Sequence, residues 1–357
     1  MILPPTTDRT DPHLDDDSIQ KENTAMKTAT KFLTITSVLA ITLALGACSV
    51  GGGNTAPSKS TGGAGGDTTT VTVGMIPTAS FAPIYVAQEK GYFADEGLKV
   101  DVKVVSNAAS IVPSVLNGQM QFGTAATPPF LVAVSKGLPI EGVVNSAGTA
   151  SSQDKDTGCI MVRSDSLVKD LKDLVGKNVA TNQLGSLPHV AATAILTENG
   201  VDAKAVGFAP MPFPDMLGAL KQDRVDALLI VEPFMTQGLK SGGVTCMSAL
   251  YTRVYEPGTT DTLVLSSKDY IASHPKVVDG FANAIKKANK LVANDPQVLR
   301  DALVKYSHMD QEVANAVHLS EYTTSFDVKG MQKMADQMVS DGFLKTKIDV
   351  SSVLRRP

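Results

Sequence analysis

TVTVGMIPTASFAPIYVAQEKGYFADEGLKVDVKVV, residues 70–105, carries the pattern on which the fold turns. Thr70–Met75 is short and rich in β-branched residues, and it reads as a strand. APIYVAQEKGYF follows with helical spacing at Ile84, Ala87 and Gln88. LKVDVKVV, residues 98–105, is a second strand. Strand, helix and strand in roughly thirty-five residues make one β-α-β unit.

The same rhythm continues outward. AASIVPSVLNGQM reads as a helix with Pro113 in its first turns, where a missing N–H is tolerated. QFGTAA is a strand, PPFLVAVSKG a helix and PIEGVVNSA a fourth strand. A second set starts near Gly158 with the strand CIMVRSD and the short helix LVKDLKDLVGK. It runs on through NVATNQ, LPHVAATAILTENG, AVGFAP, PDMLGALKQD, VDALLIV and PFMTQGLKSGG. TLVLSSKDYIASHP looks like a strand returning from that set, and four helical stretches complete the chain. The pattern predicts an α/β protein of two lobes with parallel-rich sheets, joined by two hinge crossings with a cleft between them. Lobe one is expected over 70–156, lobe two over 157–265, and the helical second part of lobe one over 266–357. Ligands in open α/β sheets bind beyond the carboxyl ends of the strands, where helix N-termini point their free N–H groups.

The region before Thr70 has a different character. Met26–Lys31 is a short positive segment, and Phe32–Gly46 is apolar over about fifteen residues, too short to span a bilayer. The run ends in Leu45-Gly46-Ala47-Cys48, which resembles the lipobox of bacterial lipoproteins. Residues 26–47 are then a lipoprotein signal peptide and Cys48 the lipidation site. The Gly/Ser/Thr tract that fills 48–69 cannot pack and reads as a tether. Residues 1–25 are polar, acidic and without periodicity. They are expected to be a disordered leader, or to lie upstream of a true start at Met26.

Composition excludes some partners. With 32 Lys and Arg against 36 Asp and Glu, and no long basic cluster, nucleic acid is not an expected ligand. Cys159 and Cys246 are too few and too far apart for a zinc motif. In an exported chain they are expected to form a disulfide, with two buried thiols as the alternative. No metal and no cofactor is expected.

IYVAQEKGYFADEGLKVDV closely resembles the signature of extracytoplasmic solute-binding proteins of ABC importers, in the nitrate/sulfonate/taurine and NMT1/THI5-like group. VPSVLNGQMQFGTAATPP, LKDLVGKNVATNQLGS, LGALKQDRVDALLIVEPF and HPKVVDGFANAI continue the resemblance in the expected order. It implies a type II periplasmic-binding-protein fold, no catalysis, and capture of a sulfonate, nitrate-like anion or pyrimidine precursor by hinge closure. The implied partners are that solute, ABC permease subunits and the membrane through the lipid, with the chain itself a monomer on the outer face of the cell membrane. Two other readings stand beside it. One is a THI5-like pyrimidine-synthesis enzyme, a group that uses a histidine with a cysteine-rich iron motif, although no such cysteine cluster occurs here. The other is a sensory lipoprotein on the same fold.

Pocket candidates follow from strand ends and from the resemblance. Thr78, Ser80 and Phe81 follow the first strand, and Thr78 or Ser80 could instead cap a helix. Ala126 and Thr127 follow the third strand, with Thr127 the principal hydroxyl contact expected from lobe one. Asn145 and Ser146 are read as the end of the fourth strand, or as a hinge turn. Gly185 and Ser186 resemble a Gly-Ser pocket element of the family and precede a helix start that suits an anion. Asn182 and Gln183 lie beside them, while His189 reads as a solvated helix residue. Glu232, in the Glu-Pro element Val231-Glu232-Pro233-Phe234, could accept from a ligand N–H or cap the next helix. Many relatives carry Trp where Val231 stands, and the chain has no tryptophan. Stacking must therefore come from Phe81, Phe130, Phe213, Phe234 or Tyr85.

Overall fold

The computed structural model describes residues 68–105 and 108–355. The leader, the signal 26–47, Cys48 and all but the last two residues of the tether lie outside them.

Lobe one opens with β1 (Thr69–Met75), α1 (Pro83–Glu89), α2 (Tyr92–Asp95), β2 (Leu98–Val104), α3 (Ile111–Leu116), β3 (Phe122–Ala126), α4 (Thr127–Ser135) and β4 (Ile140–Gly148). Lobe two holds β5 (Gly158–Arg163), β6 (Asn178–Thr181), α5 (Leu187–Glu198), β7 (Gly207–Pro210), α6 (Phe213–Lys221), β8 (Ala227–Val231), α7 (Phe234–Ser241) and β9 (Val244–Ala249). The chain then forms β10 (Thr260–Ser267) and the helices α8 (Lys268–Ser273), α9 (Pro275–Asn294), α10 (Gln297–Ser307), α11 (Gln311–Ala316) and α12 (Val328–Ser340).

The first sheet has the order β2-β1-β3-β10-β4 and the second β7-β6-β8-β5-β9. The α/β class, the two-lobed plan and the parallel-rich sheets are as the sequence reads, and each sheet also holds one strand that runs against the other four. β1 runs parallel to β2 and β3, while β10 is antiparallel to β3 and β4. In the second sheet β6 runs parallel to β7 and β8, while β5 is antiparallel to β8 and β9.

The reason is geometric. The two sheets face each other across the carboxyl ends of their parallel strands, so a strand arriving from the other lobe must enter from that edge and run against its neighbours. β5 and β10 are those entering strands. This also corrects the expected extent of lobe two, drawn over 157–265. The return crossing ends by Thr260, and β10 belongs to the first sheet, paired Thr262↔Ala126 and Leu263↔Ala125.

The two crossing segments hydrogen-bond to each other: Thr149 N donates to Thr259 O at 2.9 Å and Gly258 N to Thr149 O at 2.8 Å. A Cβ at Gly148 would lie 2.6 Å from Gly258 O, so only glycine allows this approach. The helical tail joins the hinge through Gly148 N to Glu321 O at 2.8 Å and Glu321 N to Gly148 O at 3.0 Å.

α9 packs the first sheet with a stripe of Val278, Phe281, Ile285, Ala288 and Val292, spaced three and four apart and fully buried. Phe281 stacks on Phe122 of β3, ring centroids 4.0 Å apart. Burial of such side chains, about 1.5–3 kcal/mol each, holds the sheet edges rigid enough to present loops to the cleft.

Candidate functional site

Between the lobes lies a cavity of about 330 Å³, near the small end of the range for small-molecule sites. Loops at the carboxyl ends of β1 and β3 supply Thr78, Ser80, Phe81 and Ala126; those after β6 and β8 supply Asn182, Gln183, Gly185, Ser186 and Glu232. Each lies where a parallel strand ends.

From lobe one, the Thr78 hydroxyl makes no capping bond to the short helical turn after it. The Ser80 carbonyl accepts from Ser146 Oγ at 2.7 Å, and Tyr322 Oη donates to Ala79 O at 3.2 Å. These bonds fix the loop and leave the Thr78 and Ser80 side chains on the cavity wall.

Three expected contacts do not face the cavity. Thr127 is fully buried and donates its hydroxyl to Thr260 O at 2.9 Å, turning back onto β10. Asn145 donates to Thr323 Oγ1 at 2.9 Å and to Thr323 O at 3.1 Å. Ser146 is used by the Ser80 bond just described. The reading of Asn145 and Ser146 as a strand end fails because β4 runs on to Gly148, which places both inside the sheet.

From lobe two, Gly185 sits at φ +74°, a left-handed turn that favours glycine and aims the chain into α5. Ser186, at the N-cap position, makes no side-chain cap; its hydroxyl lies 3.2 Å from Thr181 Oγ1. His189 is half-buried and does not line the cavity. Its Nδ1 accepts from Gly185 N at 2.8 Å, and its ring packs on Phe208 and Phe343. Burial lowers its pKa to about 4, so the neutral ring braces the turn before α5.

Glu232 lines the cavity, but its carboxylate is taken up by protein. Oε1 accepts from Thr236 Oγ1 at 2.7 Å and from His318 N at 2.9 Å, and Oε2 accepts from Thr236 N at 3.1 Å. The side chain therefore caps the start of α7 and ties it to the tail. Its carbonyl accepts from Ala79 N at 3.2 Å, a direct bond between the lobes, and the Glu232–Pro233 peptide is cis. Burial raises the carboxyl pKa, opposed by these donors.

Of the aromatic candidates, Phe81, Phe130 and Phe213 reach the cavity. Phe234 stacks behind Phe213, and Tyr85 stacks on Tyr306 at 4.4 Å. Cys159 and Cys246, on the neighbouring strands β5 and β9, are joined by a disulfide with Cα atoms 5.7 Å apart.

Sequence reasoning missed Asp261 and Tyr251, both buried and both on the cavity wall. Asp261 had a signal: it is the lone acid in TTDTLVLSS, residues 259–267, a run otherwise of hydroxyl and apolar residues. Tyr251 had none. Among the described residues no group of three or more His, Cys, Asp or Glu is placed to hold a metal.

A solved structure, the alkanesulfonate-binding protein SsuA from Xanthomonas axonopodis pv. citri bound to MOPS, matches this fold with TM-score 0.69 at 18% identity. The match covers 81% of this chain and 98% of that one. The two-lobed architecture is thus that of the periplasmic binding proteins. The NMT1/THI5-like family model matches residues 78–298, and the chain belongs to that family. The taurine-binding periplasmic protein of Escherichia coli (strain K12) is 28% identical over 64% of this chain and 68% of its own length. The putative aliphatic sulfonates-binding protein of Bacillus subtilis (strain 168) is 26% identical over 77% and 83%. An enzyme is also among the relatives: the 4-amino-5-hydroxymethyl-2-methylpyrimidine phosphate synthase THI11 of Saccharomyces cerevisiae (strain ATCC 204508 / S288c), 24% identical over 62% of this chain and 65% of that one.

Proposed function

We propose that this chain is the substrate-binding component of an ABC importer, capturing a small polar solute outside the membrane by closure of its two lobes. The observation that carries this reading is the cavity lined from both lobes at their strand ends, beside paired crossing segments that can serve as a hinge. The taurine- and sulfonate-binding relatives support a sulfonate among the expected solutes, the others being a nitrate-like anion and a pyrimidine precursor. Permease subunits are then the partners. Cys48 would carry the lipid that holds a monomeric chain on the outer face of the membrane, with residues 48–69 as its tether.

Calorimetry of the full chain with taurine, aliphatic sulfonates, nitrate and formylaminopyrimidine tests the reading; saturable binding of one solute is expected, and none with any of them would refute it. Replacing Cys48→Ala should leave unprocessed or unlipidated protein, and normal acylated processing of the variant would refute the anchor. The synthase relative keeps a second reading open to the same preparation. Mass-spectrometric detection of a converted pyrimidine, rather than one recovered intact, would favour the enzyme.

A further inference from the structure

Two acids stand on the cavity wall, and the protein fully satisfies only one of them. Glu232 receives three hydrogen bonds. Asp261 is 2% exposed, and its Oδ1 is buried with no hydrogen-bond partner. A buried carboxyl oxygen left without a donor is costly, so the retention of Asp261 calls for a donor from outside the chain.

The backbone around Asp261 is built to aim it. Along β4, Thr260 pairs with Gly148 and Thr262 with Ala147, so Asp261 is the extra residue of a β-bulge. Bulges re-aim side chains and recur beside functional sites. Here the bulge lies at the cleft edge of the first sheet, next to Thr262 and Ala126, which share the cavity wall.

The surrounding charges do not supply a partner. The titratable groups that act on Asp261 or feel its charge are Asp156, Tyr251, Tyr255 and Tyr322, none of them a cation. Lys136 is the one Lys or Arg among the lining residues, and it is exposed. Burial pushes the Asp261 carboxyl up to about 8 against the lowering effect of the Thr262 hydroxyl, and Asp156 adds to the rise. Across the cavity, Asn182 Oδ1 is also buried without a partner. An amide can be turned end for end, so Asn182 adds a second open position without fixing its sign. Asp261 fixes it in its ionised form, which only accepts; a cationic or N–H-bearing nitrogen set against it favours that form, which burial alone disfavours.

We propose that Asp261 is the specificity-determining residue of this cavity, receiving an N–H-bearing nitrogen of the solute: a protonated amine, an amidine or an amino-substituted heterocycle. This rests on the reading that the cavity holds a small solute, and it narrows that reading. Bare anions, whether nitrate or a simple alkanesulfonate, bring no donor to an ionised Asp261 and are repelled by its charge. The role first expected of Glu232 passes to a residue of the other lobe.

The test uses matched pairs of probes titrated into the full chain: taurine against ethanesulfonate, and 4-amino-2-methylpyrimidine against 2-methylpyrimidine. In at least one pair the N–H-bearing member should bind about 10-fold tighter or more. Asp261→Asn, close to isosteric, should weaken that member by roughly 10- to 100-fold, the worth of one charge-assisted hydrogen bond, and leave its counterpart within about 3-fold. Which pair responds separates an amino-sulfonate from an aminoheterocycle. Equal or tighter binding of the members lacking N–H, or an Asp261→Asn variant with unchanged affinities, overturns the proposal while sparing the solute-binding reading. Failure of all four probes to bind overturns the proposal, and the solute-binding reading falls with it only where nitrate and formylaminopyrimidine also fail to bind. The ranking within pairs is measured on the unaltered chain, so it decides even where the variant does not fold.

Discussion

Replacing Glu232 with alanine should cost stability without changing which solutes the protein prefers. The substitution removes the acceptor for two buried backbone donors, Thr236 N at 3.1 Å and His318 N at 2.9 Å, and for the Thr236 hydroxyl at 2.7 Å. The hydroxyl can rotate to a new partner, but the two N–H groups cannot. Each unsatisfied backbone donor costs about 1–3 kcal/mol, or about 2–6 kcal/mol for both. Relief of the buried carboxyl, whose pKa is raised by its surroundings, offsets part of this, leaving about 1–5 kcal/mol. Unfolding entropy of about 2.1 cal/mol/K per residue over roughly 290 residues gives about 0.6 kcal/mol/K, so Tm should fall by about 2–8 °C. The assay is thermal unfolding by circular dichroism at neutral pH without ligand, with Glu232→Gln as companion. Glutamine keeps one acceptor oxygen and sets an NH2 group against a donor, so its Tm should lie between the other two. A Tm within about 1 °C of the unaltered chain would refute the clamp. So would a selective loss of affinity for N–H-bearing probes in a variant of full stability, since that would put the carboxylate on the ligand.

Two further outcomes follow from the lobe-two scaffold. The Cys159–Cys246 disulfide closes a sequence separation of 87 residues, and constraint of the unfolded chain over such a loop amounts to about 4–5 kcal/mol. Reduction, or Cys159→Ser with Cys246→Ser, should therefore lower Tm by about 7–8 °C, and an unchanged melting curve would refute it. His189 is held near pKa 4 against an ordinary value of 6.5, so the fold favours its neutral form. Its contribution is intact above pH 6.5 and lost as pH falls from there towards 4, on the order of 2 kcal/mol by pH 4.5. Denaturant titrations at pH 7 and 4.5 should show that loss in the unaltered chain and not in His189→Leu, whose equal loss would sink the assignment.

The elements that the sequence determined unaided are those whose signals are local. β1, α1 and β2 are legible in residues 70–105 because alternation and helical spacing are properties of neighbouring residues. Thr78, Ser80, Phe81, Ala126, Gly185, Ser186 and Glu232 lie on the cavity wall for a related reason: each ends or follows a strand, and the ends of parallel strands share one edge. Tertiary structure decided everything that depends on a distant partner. β10 finds its antiparallel place between β3 and β4 only because the chain re-enters the first lobe from the cleft side. Thr127 is turned inward by Thr260, Asn145 by Thr323, and Glu232 is claimed by His318, partners that no local window contains. Asp261 is the converse. That its oxygen has no partner becomes visible only once every neighbour has a position, because an unmet hydrogen bond is a property of the whole surrounding shell and not of the residue.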